Sequence, residues 1–303
     1  MYESQTVQFF LDDEMRASAE AGEHPFLAKL VSVLEEAGLR SVFRQNSLEN
    51  RLASARFDGY ALFHMDDPFH TRALTIRRNL YYPFWHIETS AKRWEWRVAQ
   101  AEFDPAQVPS EEAGSFYRRW RKRLFGAPDI THDGFVYIPL QGRILERRSF
   151  QTASPIDMIE AVLEHDPNRS VIVGLHPKET YSAAELGALE VLADAHPRLS
   201  VRMGDMEVLL AGCDYVVCEN SSVAFAAHFF KKNSVLFAKV DFHHGSLNVP
   251  ALGVADAISR APDVSIAHAA YVWWFLQKMS INASLDTASD KIQTTLRRHG
   301  WPV

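Results

Sequence analysis

The chain has 303 residues, of which 47% are hydrophobic and 23% are charged, and its formal net charge is −6. This length is about twice that of a typical domain, so we expect two domains, and the composition is ordinary for a soluble globular protein. The acidic balance argues against a protein devoted to nucleic acid, which would carry a basic surplus, but it permits a local site for a small anion.

Cysteine usage and the first residues indicate a cellular compartment. Cys213 and Cys218 lie five positions apart in an apolar stretch, too few ligands for a zinc site. Free buried thiols in a reducing cytoplasm are favoured over a disulfide across a turn. Residues 1–5 lack the basic and apolar regions of a signal peptide, and no apolar run reaches the roughly 18 residues of a membrane span. We therefore expect a cytoplasmic protein that can still touch a membrane surface.

The first half of the chain alternates strands and helices. Residues 6–11 are rich in β-branched and aromatic side chains, which predicts a strand. Apolar positions in 25–37 recur at helical spacing, and Gly38 follows as a C-cap. Segments 41–43 and 60–63 are further strands with a short helix between them. This β-α-β-α-β order predicts a mainly parallel sheet.

Residues 64–130 are rich in aromatics and include a basic helix at 116–123. One interpretation of the helix is a solvated basic face beside an aromatic face, and the other is a surface for an acidic acceptor or anionic lipid headgroups. Segment 126–134 contains Gly126, Pro128 and Gly134 and has the composition of a linker. We place the domain boundary there, which gives domains at 1–130 and 131–303.

The second half alternates more clearly. Its predicted strands are 135–140, 170–175, 199–203, 215–218 and 234–237, and its predicted helices are 155–164, 183–195, 206–211 and 222–230. This pattern predicts a doubly wound parallel sheet. Two closing helices, 266–279 and 287–298, could pack back on the first domain. The expected fold class is α/β, with two Rossmann-like domains facing across a cleft.

Ligands of open parallel sheets bind beyond the carboxyl ends of the strands, and two segments there carry polar groups. His176-Pro177-Lys178 follows the second strand of the second half, and 219–222 (Glu-Asn-Ser-Ser) follows the fourth and opens a helix. The serines can hold a phosphate or simply cap the helix, and the His-Pro pair can contact a phosphate or simply form a turn. The sequence contains no glycine-rich nucleotide-binding loop, which argues against the ordinary dinucleotide-binding and ATP-binding folds.

Taken in order, segments 137–141, 171–178 and 216–227 resemble the capsular polysaccharide synthesis family. That family contains Kdo-transferring enzymes of the GT-B fold, and its His-Pro and Ser motifs are similar to those of bacterial sialyltransferases. The resemblance covers about residues 135–250 and implies a nucleotide site, for example for a CMP-sugar. It implies that His176 contacts the nucleotide or its phosphate, that Ser221 and Ser222 hold the phosphate, that Glu219 meets a ribose or base edge, and that Gln141 lies at the inter-domain cleft.

The chain departs from the family pattern at two places. The family commonly has a Lys shortly before the His-Pro pair, where this chain has Gly174-Leu175. It usually has an Asp a few residues after the Gln, where this chain has Gly142 followed by 143–148. These departures keep open a catalytically silent scaffold of a polysaccharide-synthesis locus, and the shared plan keeps open another nucleotide-sugar enzyme such as an epimerase.

The first domain is expected to supply the base that deprotonates an acceptor hydroxyl. The leading candidates are Asp66 and Asp67, and the other acidic pair after a strand is Asp12 and Asp13; all four could instead be solvated turn residues. His86 and Glu88, on one strand face, are weaker candidates. The His243-His244 loop either lines the donor pocket or is an uninvolved surface loop. No third ligand accompanies either acidic pair, so no metal site is predicted.

Together these observations predict a glycosyltransferase that uses a nucleotide-sugar donor, with Kdo or a related acidic sugar as a candidate, and a saccharide or lipid-linked acceptor. Asp66 or Asp67 would act as the base, while His176, Lys178 and the 219–222 segment, Asn220 included, would hold the departing nucleotide. The donor is a substrate, so no resident cofactor and no nucleic-acid partner are expected. Helix 116–123 is the candidate for peripheral membrane contact.

Overall fold

A computed structural model describes residues 3–303; Met1 and Tyr2, the first residues of the segment tested for a signal peptide, lie outside the described residues. The chain forms two compact units. The first comprises residues 3–101 together with Phe275–Val303, and the second comprises Glu102–Trp274. Each unit contains one six-stranded sheet with helices, so the α/β fold class is confirmed.

The first unit begins with alternating strands and helices. They are β1 (Thr6–Leu11), α1 (Asp13–Glu20), α2 (Pro25–Glu36), β2 (Arg40–Gln45), α3 (Leu48–Ser54), β3 (Tyr60–His64), β4 (Ala73–Arg78), β5 (Phe84–Glu88) and α4 (Arg97–Gln100). Strand β1 pairs in parallel with β2 on one side and β3 on the other, and β3 pairs in parallel with β4. The predicted parallel β-α-β-α-β segment is confirmed. Strand β4 was not predicted, whereas the strand face that the sequence assigned to His86 and Glu88 belongs to β5, which runs antiparallel to β4.

The second unit contains one long helix and a regular α/β series. Its elements are α5 (Ser110–Phe125), β6 (Phe135–Leu140), α6 (Pro155–His165), β7 (Ser170–Leu175), α7 (Ala183–Ala195), β8 (Leu199–Met203), α8 (Met206–Gly212), β9 (Tyr215–Cys218), α9 (Ser222–Ala227), β10 (Asn233–Leu236), β11 (Leu247–Asn248), α10 (Val249–Leu252), α11 (Val254–Arg260) and α12 (His268–Trp273). All strand pairs are parallel, in the order β11-β10-β9-β6-β7-β8. The doubly wound parallel sheet is confirmed.

The last part of the chain returns to the first unit. Strand β12 (Ile281–Asn282) pairs antiparallel with β5, and α13 (Ala288–Arg298) packs on α2. Ile292, Leu296 and Trp301 are buried in the same core as the strands of this unit. The closing helix 287–298 therefore packs with the first unit, which the sequence left open.

The division between the units differs from the sequence prediction. The predicted boundary at 126–134 lies inside the second unit, whose first residue is Glu102. The reason is helix α5, which packs on α12 and buries Phe116, Tyr117 and Trp120 within the second unit. The glycines and proline that follow α5 are a loop within one unit, since composition alone does not distinguish such a loop from an inter-domain linker.

Two predictions about the surface and the core can be compared with the side chains. On α5, Arg118, Arg119 and Lys122 are exposed while the aromatic face is buried, as the first interpretation of the basic helix described. Cys213 and Cys218 are buried free thiols rather than a disulfide, and burial raises the pKa of each to about 12. Within residues 3–303 no helix has the length and apolar character needed to cross a bilayer.

The order of strands defines one special position in each sheet. In the first unit the chain moves from β1 to β2 on one side and then continues with β3 on the other. In the second unit it moves from β6 to β7 and β8, and then continues with β9 on the other side of β6. At each of these positions the loops that leave the two adjacent strands, β1 and β3 or β6 and β9, run in opposite directions. The crevice between such loops, at the carboxyl ends of the strands, is where open α/β sheets bind ligands. The residues that follow β1, β3, β6 and β9 therefore define the candidate sites.

Candidate functional site

A polar recess lies at the carboxyl ends of β6 and β9, where the strand order of the second unit's sheet reverses. We call this position, and the one between β1 and β3 in the first unit, the reversal point of the sheet. Gln141 and Gly142 after β6, and Glu219, Asn220 and Ser221 after β9, line it. Its volume is about 10 Å³, room for one water molecule, so a larger ligand would lie over its mouth rather than inside it. The structure thus brings together four residues that the sequence selected from two separate segments.

The loop that leaves β6 also brings Arg148 to the recess. The loop is fixed at Ile144, whose N–H donates to Glu185 Oε1 at 2.7 Å and whose carbonyl accepts from Ile156. Glu185 is itself held because its carboxylate accepts from Ser182 in the capping box of α7. Arg148 Nε is buried without a hydrogen-bond partner in the described part of the chain. Sequence reasoning missed this cation because nothing local indicates where the loop turns back.

Glu219 is the most unusual group of the recess. It is 7% exposed, and neither of its carboxyl oxygens has a hydrogen-bond partner among residues 3–303. Burial raises the pKa of Glu219 to about 8, with nearby Arg148 opposing the shift and Asp157 adding to it. A buried carboxyl group left unpaired costs stability, which is a frequent property of binding sites. At neutral pH the group carries a proton for most of the time and can donate one hydrogen bond to a ligand.

We expect Glu219→Gln to change how stability depends on pH. The folded-state pKa is raised above the unfolded value, so the favourable contribution of the protonated group is complete below about pH 4.5 and is lost as pH rises through about 8. Glutamine cannot ionise, so the variant should gain free energy of unfolding relative to the parent protein as pH rises from 5 to 8. Urea denaturation at several pH values measures this difference, and parallel profiles of the two proteins would contradict the burial argument.

Ser221 and Ser222 have different positions at the start of α9. Ser221 is the N-cap, buried, with Oγ accepting from the N–H of Val223 at 3.3 Å. Ser222 is the first helical residue and is exposed. The capping interpretation is therefore confirmed for Ser221, while phosphate binding by either hydroxyl stays a prediction.

The loop after β7 lies beside this recess without lining it. The hydroxyl of Tyr181 accepts from the N–H of His176 at 2.9 Å and donates to the carbonyl of Leu140, the last residue of β6, at 3.3 Å. His176 is exposed, and its Nδ1 accepts from the N–H of Lys178 at 3.2 Å. In the neutral imidazole this leaves the proton on Nε2, which is then a donor available to a ligand. Lys178 is exposed as well.

In the first unit, the reversal point between β1 and β3 holds a carboxylate and an imidazole. Asp12 follows β1 and His64 ends β3, and Asp12 Oδ2 lies 3.2 Å from His64 Nδ1. The other oxygen of Asp12 accepts from the N–H of Met15 as the N-cap of α1, so the carboxylate is held in place. His64 Nε2 makes no hydrogen bond within the described residues, and burial lowers the pKa of His64, an effect that Asp12 partly opposes.

The acids that the sequence favoured as bases are occupied by structural contacts. Asp66 Oδ2 accepts from Asn46 at 2.8 Å and from Arg51 at 3.0 Å. Asp67 Oδ1 accepts from the N–H of Ala91 at 2.7 Å and from Ser90. Asp13 is exposed and pairs with Arg16 on its own helix. His64 was missed because it ends an apolar strand, although an Asp and a His after neighbouring strands were visible in the sequence.

The remaining candidates lie away from both reversal points. His86 and Glu88 are buried on β5, with His86 Nδ1 3.8 Å from Glu88 Oε1. His243 Nδ1 lies 2.9 Å from the carbonyl of Val240, and His244 packs against Trp274; neither lines the recess. Within residues 3–303 no cluster of three or more His, Cys, Asp or Glu has metal-binding geometry.

Comparison with known proteins supports the fold. No protein-family model matches the sequence, and no curated protein matches it. Among solved structures, the β-Kdo 2,7-transferase KpsC of Thermosulfurimonas dismutans aligns over 97% of this chain and 99% of its own, with a TM-score of 0.55 and 11% sequence identity. The β-Kdo 2,4-transferase KpsC of the same organism aligns over 89% of each chain, with a TM-score of 0.48 and 11% identity. The first of these alignments shows that the chain has a GT-B-like fold.

Proposed function

We propose that the protein transfers a sugar from a nucleotide donor to a hydroxyl of a saccharide or lipid-linked acceptor. The observation that carries the proposal is the unpaired carboxyl group of Glu219 in a polar recess at the strand-order reversal of a doubly wound sheet. Such a position is where open α/β sheets hold nucleotides. The structural similarity to a Kdo transferase supports sugar transfer, and Kdo or a related acidic sugar is the first donor class to test.

In this proposal the nucleotide lies over the recess of the second unit. The protonated carboxyl of Glu219 reaches a ribose or base acceptor through one water molecule in the recess, and Gln141 and Asn220 add neutral hydrogen-bonding groups at the edge of the recess. Arg148 lines the recess and supplies positive charge there. His176 and Lys178 extend from the adjacent loop to the phosphate, which develops negative charge as the donor breaks.

The first unit supplies the base. His64 Nδ1 donates to Asp12 in the neutral form that a lowered pKa favours, so Nε2 carries the free lone pair. In the transfer step the acceptor oxygen forms a bond to the anomeric carbon, and the bond from that carbon to the phosphate oxygen breaks. The proton of the acceptor hydroxyl passes to His64 Nε2, and the electron pair leaves with the nucleotide. Asp12 acts as a positioning residue that also stabilises the imidazolium.

Nucleotide binding is testable before any acceptor is known. CMP, UDP, GDP and their sugars, including CMP-Kdo, are screened by thermal shift, because a ligand that binds the folded state raises the melting temperature. At least one nucleotide is expected to stabilise the protein. The double variant Ser221→Ala with Ser222→Ala is expected to weaken the binding of that nucleotide by about 1–3 kcal/mol, the scale of hydrogen bonds to a charged group. The matched control is Ser47→Ala, which removes the N-cap of α3 in the first unit.

The outcomes separate the alternatives. Unchanged affinity in the double variant, with the fold intact, would place the nucleotide elsewhere. Release of free nucleotide from a donor without any acceptor would favour another nucleotide-sugar enzyme such as an epimerase. Binding with no turnover of any donor would favour a silent scaffold.

A further inference from the structure

A larger cavity lies in the first unit, at the edge of its sheet. Its volume is about 330 Å³, and β5, the loop before β12, α13 and Arg97 form its walls. It exists because β12 pairs only with Phe84 and Trp85, so the following residues of β5 have no strand beside them on that edge within the described chain. None of the residues that line this cavity belongs to the Asp12–His64 pair or to the recess of the second unit.

Positive charge is in excess around the cavity. Its lining contains four cationic side chains and two carboxylates: Arg97, Lys278, Lys291 and Arg298 against Glu88 and Asp290. The ammonium group of Lys291 is already occupied, because it donates to the carbonyl oxygens of Gln277 at 2.7 Å, Ser280 at 3.0 Å and Lys278 at 3.3 Å. Lys291 therefore fixes the loop before β12 and contributes charge rather than a free donor.

The two guanidinium groups are the available donors. Neither Arg97 nor Arg298 makes a side-chain hydrogen bond or an ion pair within residues 3–303, although Glu88 and Asp290 line the same cavity. They are close enough to interact, since burial and then Arg97 lower the pKa of Arg298, with Glu88 opposing the shift. Cationic side chains outnumber carboxylates around this cavity, and neither guanidinium group is ion-paired within residues 3–303, which favours an anion there. One guanidinium group can donate two parallel hydrogen bonds to a carboxylate or phosphate.

The buried polar side chains that line the cavity limit what kind of anion it can bind. His86 is buried and hydrogen-bonds to Asn79 at 3.1 Å and Ser280 at 3.2 Å. Burial, reinforced by the nearby Arg93, Lys291 and Arg97, lowers the pKa of His86 to about 3, so the ring is neutral at ordinary pH. Glu88 is a buried acceptor that already receives the N–H of Arg97 at 3.3 Å. Carboxylates repel a bare anion but accept hydrogen bonds from hydroxyl groups, which favours a ligand that carries both charge and hydroxyls.

We propose that this cavity binds an anionic monosaccharide, with its phosphate or carboxylate on Arg97 and Arg298 and its hydroxyls on Glu88, Asp290 and Thr294. The volume is at the lower end of the range of about 300–1,000 Å³ for small-molecule sites, which suits a single sugar better than a complete nucleotide sugar. The site is independent of the nucleotide recess and goes beyond the proposed transfer reaction.

Titration calorimetry of the full chain at low ionic strength tests the proposal, with glucose 6-phosphate, glucuronate, inorganic phosphate and glucose as probes. Glucose 6-phosphate or glucuronate is expected to bind more tightly than phosphate, and glucose should not bind measurably. Arg97→Gln and Arg298→Gln should each lower the affinity for the sugar anion about tenfold or more, the scale of a lost charge-assisted hydrogen bond. Arg297→Gln is the matched control, since Arg297 is the neighbouring residue on α13 and does not line the cavity.

Three further variants keep the test interpretable. If a glutamine variant unfolds, Arg97→Lys and Arg298→Lys retain the charge and should weaken binding less than the glutamine variants do. Ser221→Ala with Ser222→Ala should leave the binding of glucose 6-phosphate unchanged, so failure of the nucleotide proposal is recognised separately. Equal affinity for phosphate and the sugar anions, equal losses in the Arg297 control, or no binding by any probe would overturn the proposal.

Discussion

His64→Gln is expected to slow sugar transfer about 100- to 10,000-fold, the contribution of a positioned general base, while the melting temperature changes little. The imidazole ends β3 with Nδ1 fixed by Asp12 and Nε2 free to take a proton. Glutamine retains hydrogen bonding but cannot accept the proton at neutral pH. His70→Gln is the control, because His70 lies on the next loop and its imidazole contacts Ser54 rather than Asp12.

The dependence of the transfer rate on pH provides a second test of His64 as the base. A base must be deprotonated to act, and burial lowers the pKa of His64 below 6.5, so the decline of kcat/KM that reports this base should lie on the acid side of pH 6.5. Asp12 opposes that shift, so Asp12→Asn should move the acid limb to still lower pH as well as reduce the rate. Steady-state rates between pH 4.5 and 8 measure both effects. If Asp66→Asn or Asp67→Asn abolishes transfer while His64→Gln is active, the base is one of the acids that the sequence favoured.

His176→Ala is expected to slow transfer by about 100-fold or more, the scale of losing one donor to developing charge. Its ring is exposed, and within residues 3–303 its hydrogen bonds lie within its own turn, so the melting temperature should stay within a few degrees. The chain provides a close control, because His196-Pro197 is another His-Pro pair, one that follows helix α7 instead of a strand. His196→Ala should leave the rate unchanged.

Two results would count against this role for His176. Loss of the fold in His176→Ala would mean that the imidazole is structural, and full transfer activity would remove it from the site. Comparing single-turnover rates with nucleotide affinity separates a role in the transfer step from a role in binding alone.

Residues whose local sequence determines their structure were predicted well. Strands β6, β7 and β9 are short runs of β-branched and aromatic residues, and α7 begins at the Ser182–Glu185 capping box, so local propensity and tertiary packing agree. Strand β4 and its antiparallel pairing with β5 were missed, because that pairing depends on contacts with distant parts of the chain that no local pattern encodes. The compact units divide at residue 102 rather than at 126–134, because α5 joins the second unit through buried aromatics.

The candidate sites were predicted only in part, for a similar reason. Position after a strand selected Glu219 and the family resemblance selected Gln141, and the two line one recess because parallel strands end at one edge of a sheet. The same rule selected Asp66 and Asp67, but Arg51, Asn46 and the Ala91 N–H occupy them, and such partners depend on how distant loops fold. Arg148 and His64 were missed because their roles depend on one long-range contact each.

The return of the chain to the first unit has a consequence for the order of folding during synthesis. Residues 102–274 are continuous, so the second unit can acquire all its core residues as soon as they have left the ribosome. The first unit begins earlier in the sequence but lacks Ile292, Leu296 and Trp301 until residues 275–303 emerge. Its half-finished apolar surface, including the face of α2 that α13 covers, must stay exposed or chaperone-bound while the second unit is translated. The unit translated first is therefore the last to complete its core.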